Sequence, residues 1–199
     1  MGNKLYFTFS TMNAGKSLQL MAVAHNMDER HIPSLTLKPS IDTRDGENQI
    51  YSRVGISRPC ITFSQEENLY ELIRKKNFEI QNNSEQSLKW IFVDEAQFLT
   101  EEQVDQLSDV VDYLNINVSC YGLRTDFKSK LFPGSKRLFE LADTIEEMKS
   151  TCECGNKTII NARIDKDGNV LKNGPQTLVG GEDRYNSICR KCWKDSLNK

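Results

Sequence analysis

The chain of 199 residues has no apolar run approaching the roughly 18–20 residues that a membrane-spanning helix requires. It also lacks a surplus of positive charge. Against 28 Asp and Glu stand 26 Lys and Arg, a net charge of -2 that gives no general attraction for nucleic acid. Positive charge would have to be local, and the obvious basic cluster is Arg190, Lys191 and Lys194. The start, Met1-Gly2-Asn3-Lys4, leads directly into a strand-like segment, so no signal peptide is expected. Tyr6 stands where a myristoylation signal carries Ser or Thr. There is no internal repeat, and the two histidines, His25 and His31, are isolated from any partner and receive no role. Together these absences point to a cytoplasmic protein with neither membrane nor nucleic acid as its partner. What remains is ordinary for a soluble chain: 38% hydrophobic and 27% charged residues, long enough for one domain and a small appendage.

The stretch that organises the chain is Ser10-Thr11-Met12-Asn13-Ala14-Gly15-Lys16-Ser17. It follows the apolar run Leu5–Phe9 and precedes a helical segment, Leu18–Met27, on which Leu20, Val23, Ala24 and Met27 recur at helical spacing. Strand, tight loop and helix in that order hold nucleotide phosphates: loop amides and the helix N-terminus face the anion. Lys16 would reach the β- and γ-phosphates, and the Ser17 hydroxyl would ligate Mg²⁺. Ser10 replaces the first glycine of the usual pattern, at a turn position that needs a small residue.

Further strands are expected at Leu35–Lys38, Cys60–Phe63, Trp90–Val93 and Asn117–Tyr121. The span 40–59 shows no period and contains Arg44 and Arg53. Capping-box spacing marks two helix starts, Ser64 with Glu67 and Thr100 with Gln103. The polar span 79–87 is expected to be a flexible connection, and a short helix is expected around 135–141. Strands alternating with helices predict a parallel, doubly wound sheet, whose ligands bind at the carboxyl ends of the strands. The phosphate loop, Asp94-Glu95 and the loop after Gly122 all fall on that edge. Asp94 would hold Mg²⁺, and Glu95 would take a proton from an attacking hydroxyl or water.

Six cysteines sit unevenly. Cys60 and Cys120 read as small buried hydrophobes. Cys152, Cys154, Cys189 and Cys192 form two close pairs that suit tetrahedral Zn²⁺. With four thiolates no coordination position is left for substrate, so the metal is structural. The expected architecture is an α/β, P-loop parallel-sheet nucleotide-binding domain over 1–148, followed by a small zinc-binding lobe over 149–199.

In order along the chain come the phosphate loop, Asp94-Glu95-Ala96-Gln97-Phe98, Tyr121–Phe127, the four cysteines, Gly180-Gly181 and Arg184-Tyr185. On these residues the sequence resembles thymidine kinases of the zinc-containing type, from about Leu5 to Trp193. The resemblance implies transfer of the γ-phosphate of ATP to the 5′-hydroxyl of thymidine, with Glu95 as base. It places Ser10 to Ser17, Asp94 to Gln97 and Arg44 around the nucleotide, with Arg53 a further candidate for phosphate. Met12, Leu123, Phe127, Phe132, Gly180, Gly181 and Tyr185 are placed around the nucleoside. Phe127 and Phe132 could equally anchor their own loop. The segment from about 169 to 187 resembles a lasso, a zinc-anchored lid loop. Homotetramers and inhibition by dTTP are implied in the same way. Two other readings share the phosphate loop: a nucleic-acid-dependent ATPase with a zinc ribbon, and a nucleotide-sensing switch.

Overall fold

The computed structural model describes residues 2–42, 48–84, 86–176 and 184–197. The elements run β1 (Leu5–Ser10), α1 (Lys16–Glu29), β2 (Ser34–Pro39), β3 (Gln49–Tyr51), β4 (Ser57–Pro59), β5 (Ile61–Phe63), α2 (Leu69–Ser84) and β6 (Trp90–Val93). After a single 3₁₀ turn, Ala96–Phe98, follow α3 (Glu101–Leu114), β7 (Asn117–Leu123), α4 (Pro133–Leu141), β8 (Thr144–Glu147), β9 (Ile160–Ile164), β10 (Arg184–Ile188) and α5 (Arg190–Leu197).

Six strands form one parallel sheet in the order β5-β2-β6-β7-β1-β8. Side-chain alternation explains why apolar strands such as Trp90-Ile91-Phe92-Val93 sit at its centre. Ile91 and Val93 join Leu107, Val110, Val111 and Leu138 on the face covered by α3 and α4, together with Leu69 and Ile73 of α2. Phe92 and Tyr121 point the other way, into a cluster with Leu20, Met21 and Ala24 of α1 and Ile50 of β3. Both faces are therefore covered, and the ends of β1, β6 and β7 come together along the carboxyl edge.

Several expectations need correction. The helix α2 starts at Leu69 rather than under a Ser64–Glu67 box: Asn68 Oδ1 accepts the Glu71 N–H at 2.9 Å. The expected flexible span is helical as far as Ser84, so the polarity of 79–84 is that of an exposed helix face. The aperiodic span 40–59 contains a two-stranded hairpin, β3 with β4. His25 does have a neighbour, Glu29, one helical turn on at 4.0 Å, but both are exposed. Thr100 and Gln103 form the expected reciprocal cap of α3. Cys120 is fully buried, which pushes its thiol far up and leaves it inert, and Cys60 packs half-buried against the α1 side. Among the described residues, no helix is long and apolar enough to cross a membrane.

Strands β9 and β10 pair antiparallel and, with α5, enclose a small separate core of Ile160, Ala162, Ile188, Cys152 and Cys189. Polar bonds tie this lobe to the phosphate loop. Thr11 and Thr158 hydroxyls meet at 2.9 Å, Met12 N–H donates to Asn161 Oδ1 at 2.7 Å, and Ser187 Oγ donates to the Met12 carbonyl at 3.0 Å.

Candidate active site

The loop between β1 and α1 is wound by two left-handed residues, Asn13 at φ 64° and Gly15 at φ 87°. At Gly15 that conformation favours a residue without Cβ. Such a turn presents successive backbone amides to an anion, and no side chain caps the N-terminus of α1 behind it. Lys16 is 8% exposed, and its Nζ donates to Ser10 Oγ at 2.9 Å and to the Thr11 carbonyl at 3.0 Å. Ser10, the departure from the glycine pattern, thus supplies an acceptor that holds the lysine against the loop.

Asp94 follows the last residue of β6 and is 2% exposed. Burial, with the Glu95 charge beside it, pushes its carboxyl up to about 7, against the pull of the Ser17 hydroxyl and Lys16. The bond from Ser17 to Asp94 brings together the two groups assigned to Mg²⁺. A hydroxyl and a carboxylate are hard oxygen donors, and a buried carboxyl that resists ionisation alone is one a cation would relieve.

Glu95 occupies the left-handed region at φ 49°, where a residue with a side chain is strained. It is fixed from several sides. Its N–H donates to Asp94 Oδ1 at 3.0 Å, Phe98 N–H donates to its carbonyl at 3.0 Å, and Gln97 Nε2 donates to its carboxylate. Gln97 is itself buried, and its Oε1 accepts the Leu123 N–H at 2.9 Å, which locks the tip of β6 to that of β7. The neighbouring Gly122 leaves room for this contact: a Cβ there would lie 3.0 Å from both Gln97 N and Gln97 Oε1, a tight approach.

A cleft of about 370 Å³ opens over this edge, lined by Gly15, Lys16, Ser17 and Glu95 on one side. Met12 and Leu123 contribute apolar wall, and Tyr51 to Val54, the turn of the β3–β4 hairpin, closes it from above with Arg53. Phe127 and Phe132 are buried in the loop beyond β7, Phe132 edge-on against Phe98 with ring centroids 5.9 Å apart. Tyr185 lies on β10. Arg44, Gly180 and Gly181 lie outside the described residues.

The sulfur atoms of Cys152, Cys154, Cys189 and Cys192 all lie within 4.8 Å of one another. Cys154 and Cys189 Sγ are 3.6 Å apart, close to the edge of a tetrahedron built on Zn–S bonds of about 2.3 Å. Asn156 donates to Cys154 from backbone and side chain and holds its thiol down to about 6, while hydrogen bonding to the neighbouring Cys154 and Cys189 pushes the Cys192 thiol up to about 12. The donor set fits Zn²⁺.

Residue-type reasoning missed Thr158, Asn161 and Ser187, which brace the phosphate loop from the second lobe. The available signal was Asn161 with Arg163, two polar residues on one side of an otherwise apolar strand, both buried.

The thymidine kinase family model matches residues 3–193 of the chain. Among named thymidine kinases, that of Idiomarina loihiensis is 45% identical over 193 residues, covering 97% of each chain. That of Mannheimia succiniciproducens is 47% identical over 196 residues, covering 98% of this chain and 97% of its own. The Salmonella typhimurium relative is 43% identical over 196 residues, 98% of this chain and 93% of its own. A Pif1 helicase from Candida albicans superposes on 75% of this chain and 36% of its own at a TM-score of 0.41 and 14% identity, too distant to carry any argument. The family model spans the phosphate loop, the Asp94-Glu95 corner and all four cysteines, the named relatives match nearly the whole chain, and the chain belongs to the thymidine kinase family.

Proposed function

We propose that the protein transfers the γ-phosphate of ATP to the 5′-hydroxyl of thymidine, giving dTMP and ADP. The observation that carries this reading is a cleft lined by Lys16, Ser17 and Glu95 together with the apolar Met12 and Leu123. The phosphate-binding, proton-accepting and base-binding roles assigned to these residues would then meet in one place. The names of the full-length relatives support the choice of substrate.

The phosphate-loop amides and Lys16 hold the β- and γ-phosphates in line with the sugar hydroxyl. Glu95 accepts the 5′-hydroxyl proton, the freed oxygen bonds to the γ-phosphorus, and the bond to the β–γ bridging oxygen breaks as ADP leaves. Lys16, and Arg53 on the hairpin turn, face the charge spread over the transferred group; Arg44 is assigned to the same phosphates. Ser17 and Asp94 would hold Mg²⁺, which when bound neutralises phosphate charge. Strain at Glu95, held by Gln97, suits a base kept in one orientation. Met12, Leu123, Phe127, Phe132 and Tyr185 are assigned to the pyrimidine, with Gly180 and Gly181 approaching it through the main chain. Apolar contact to one methyl is worth about 1–3 kcal/mol, so preference over deoxyuridine is finite.

The division into a kinase domain over 1–148 and a zinc lobe over 149–199 belongs to the same proposal, with Zn²⁺ structural. So does inhibition by dTTP, which joins a thymine and a triphosphate in one molecule and can occupy both halves of the cleft. A homotetramer in the cytoplasm, acting without nucleic acid or membrane, completes the reading.

The test is to incubate the protein with Mg-ATP and thymidine and to follow dTMP. Thymidine-dependent dTMP is expected; ATP loss without thymidine, stimulated by DNA, would replace this reading with the ATPase one. Glu95→Gln should retain nucleotide binding and lose about 10²- to 10⁴-fold in kcat, and a near-normal rate would remove Glu95 from the mechanism.

A further inference from the structure

Arg163, in the middle of β9, is 1% exposed and carries one of the largest fully buried side chains of the described residues. A buried guanidinium is always charged and normally meets a carboxylate. Among the described residues the hydrogen-bond partners of Arg163 are neutral. Nε and Nη2 both donate to Tyr185 Oη, at 3.0 and 2.7 Å. Nη1 donates to the Pro175 carbonyl at 3.2 Å, and Nη2 reaches the Gln176 carbonyl at 3.5 Å. The guanidinium carbon lies 4.0 Å from the centroid of the Phe127 ring and 5.3 Å from that of Tyr185.

Three separate pieces of chain therefore converge on one side chain: the loop after β7, the stretch containing Gly174, Pro175 and Gln176, and β10, where Tyr185 is the cross-strand partner of Arg163. The chain bends to allow it. At Gly174, with φ 140°, a Cβ would lie 3.2 Å from Arg163 Nη1 and 3.6 Å from Phe127 Cζ. Gln176 in turn donates to Asp126 Oδ2 at 3.1 Å, beside Phe127. A strand that needed only to be packed would be served better by Leu or Met, which bring no desolvation cost.

We propose that Arg163 is a positioning residue for the nucleoside, fixing the rings of Tyr185 and Phe127 through its fork of donors and its planar face. This rests on the thymidine kinase reading and adds a residue to it. The consequence is selective: Arg163 sets affinity for thymidine and leaves the phosphate half of the site alone.

Steady-state kinetics with each substrate varied test this on the zinc-loaded protein. Arg163→Met is expected to raise KM for thymidine about ten-fold or more, with KM for ATP within about two-fold and zinc content unchanged. Arg163→Lys should recover part of the loss, since an ammonium can donate to Tyr185 Oη but cannot make the fork. Tyr185→Phe keeps the ring and removes the acceptor, so it should move the same constant in the same direction. Combined with Arg163→Met it should add little. If Arg163→Met fails to fold, Tyr185→Phe decides. An unchanged thymidine KM in the soluble variants, an equal rise in both KM values, or additive effects in the double variant would overturn the role of Arg163 while leaving the kinase reading in place. A wild-type protein that makes no dTMP would instead overturn the kinase reading, and this role with it.

Discussion

Asp94 illustrates how a carboxyl assigned to metal binding can work against the stability of the fold. Its carboxyl is raised to about 7 because burial and the Glu95 charge both disfavour ionisation. Between its ordinary value of 3.8 and about 7, the native state binds the Asp94 proton more tightly than the unfolded chain does. Stability therefore falls as pH rises through that window, and the whole cost is present above it. Asp94→Asn is neutral at every pH and can still meet Ser17 and the Glu95 amide. It is expected to stabilise the nucleotide-free protein at pH 8 by on the order of 2–4 kcal/mol, and by about half that at pH 5.5. Thermal melts of both proteins at the two pH values check this, and a Tm difference independent of pH would contradict it. The same variant should lose most phosphoryl transfer, because the carboxylate that would meet Mg²⁺ is gone. Stability gained and activity lost in one substitution separate Asp94 from a residue that merely fills space.

At the scale of elements, the pieces that announce themselves in the sequence are those whose local chemistry decides their structure. The run Leu5–Phe9, the glycine and lysine after it, and the Thr100–Gln103 cap each specify their conformation within a few residues, and each is found where expected. Ser64 and Glu67 have the same spacing as a cap, yet Asn68 is nearer the helix, and the Ser64 and Glu67 carbonyls instead accept Gln103 Nε2 at 2.8 and 3.1 Å. Strands β3 and β4 have three residues each, too few for a period, and the charges of β8 mark an edge strand rather than a core one. Lys16, Ser17, Asp94 and Glu95 were legible as chemistry, whereas Thr158, Asn161 and Ser187 act through contacts more than 140 residues away. The packing of α4 on the 3₁₀ turn yields a prediction. A Cβ on Gly134 would sit 2.7 Å from the carbonyl oxygens of both Ala96 and Leu99, backbone atoms of the segment that holds Gln97 and follows Glu95. Gly134→Ala is thus expected to cost about 1–3 kcal/mol in denaturant unfolding. It should also lower kcat more than it alters either KM, since the displaced turn orients Glu95, the proposed base. Wild-type stability and kcat would show that the helix can slide aside freely.

Across the whole molecule, the second lobe does not stand apart: it is hydrogen-bonded to the loop between β1 and α1. Among the described residues its apolar core is small, with Ile160, Ala162 and Ile188 as buried aliphatics beside two of the four cysteines. Under the proposed zinc reading, such a core would depend on metal for closure. Through Thr158, Asn161 and Ser187 it also grips Thr11 and Met12 within the phosphate loop. Zinc removal should therefore be felt in both halves of the cleft, more strongly on the nucleoside side. Cys189→Ala or chelation is expected to abolish stoichiometric zinc and thymidine turnover. ATP should still bind, more weakly, because β1 and α1 remain anchored in the two large cores. The chain carries its own reporters. Trp193 packs against the lobe's core, whereas Trp90 stacks on Phe92 at 5.8 Å within the main sheet. Loss of metal should red-shift the Trp193 emission and leave that of Trp90, read in Trp193→Phe and Trp90→Phe backgrounds. Zinc-free protein with full thymidine turnover, or a simultaneous shift of both tryptophans, would mean that the lobe is held by its own packing or that the two lobes unfold as one.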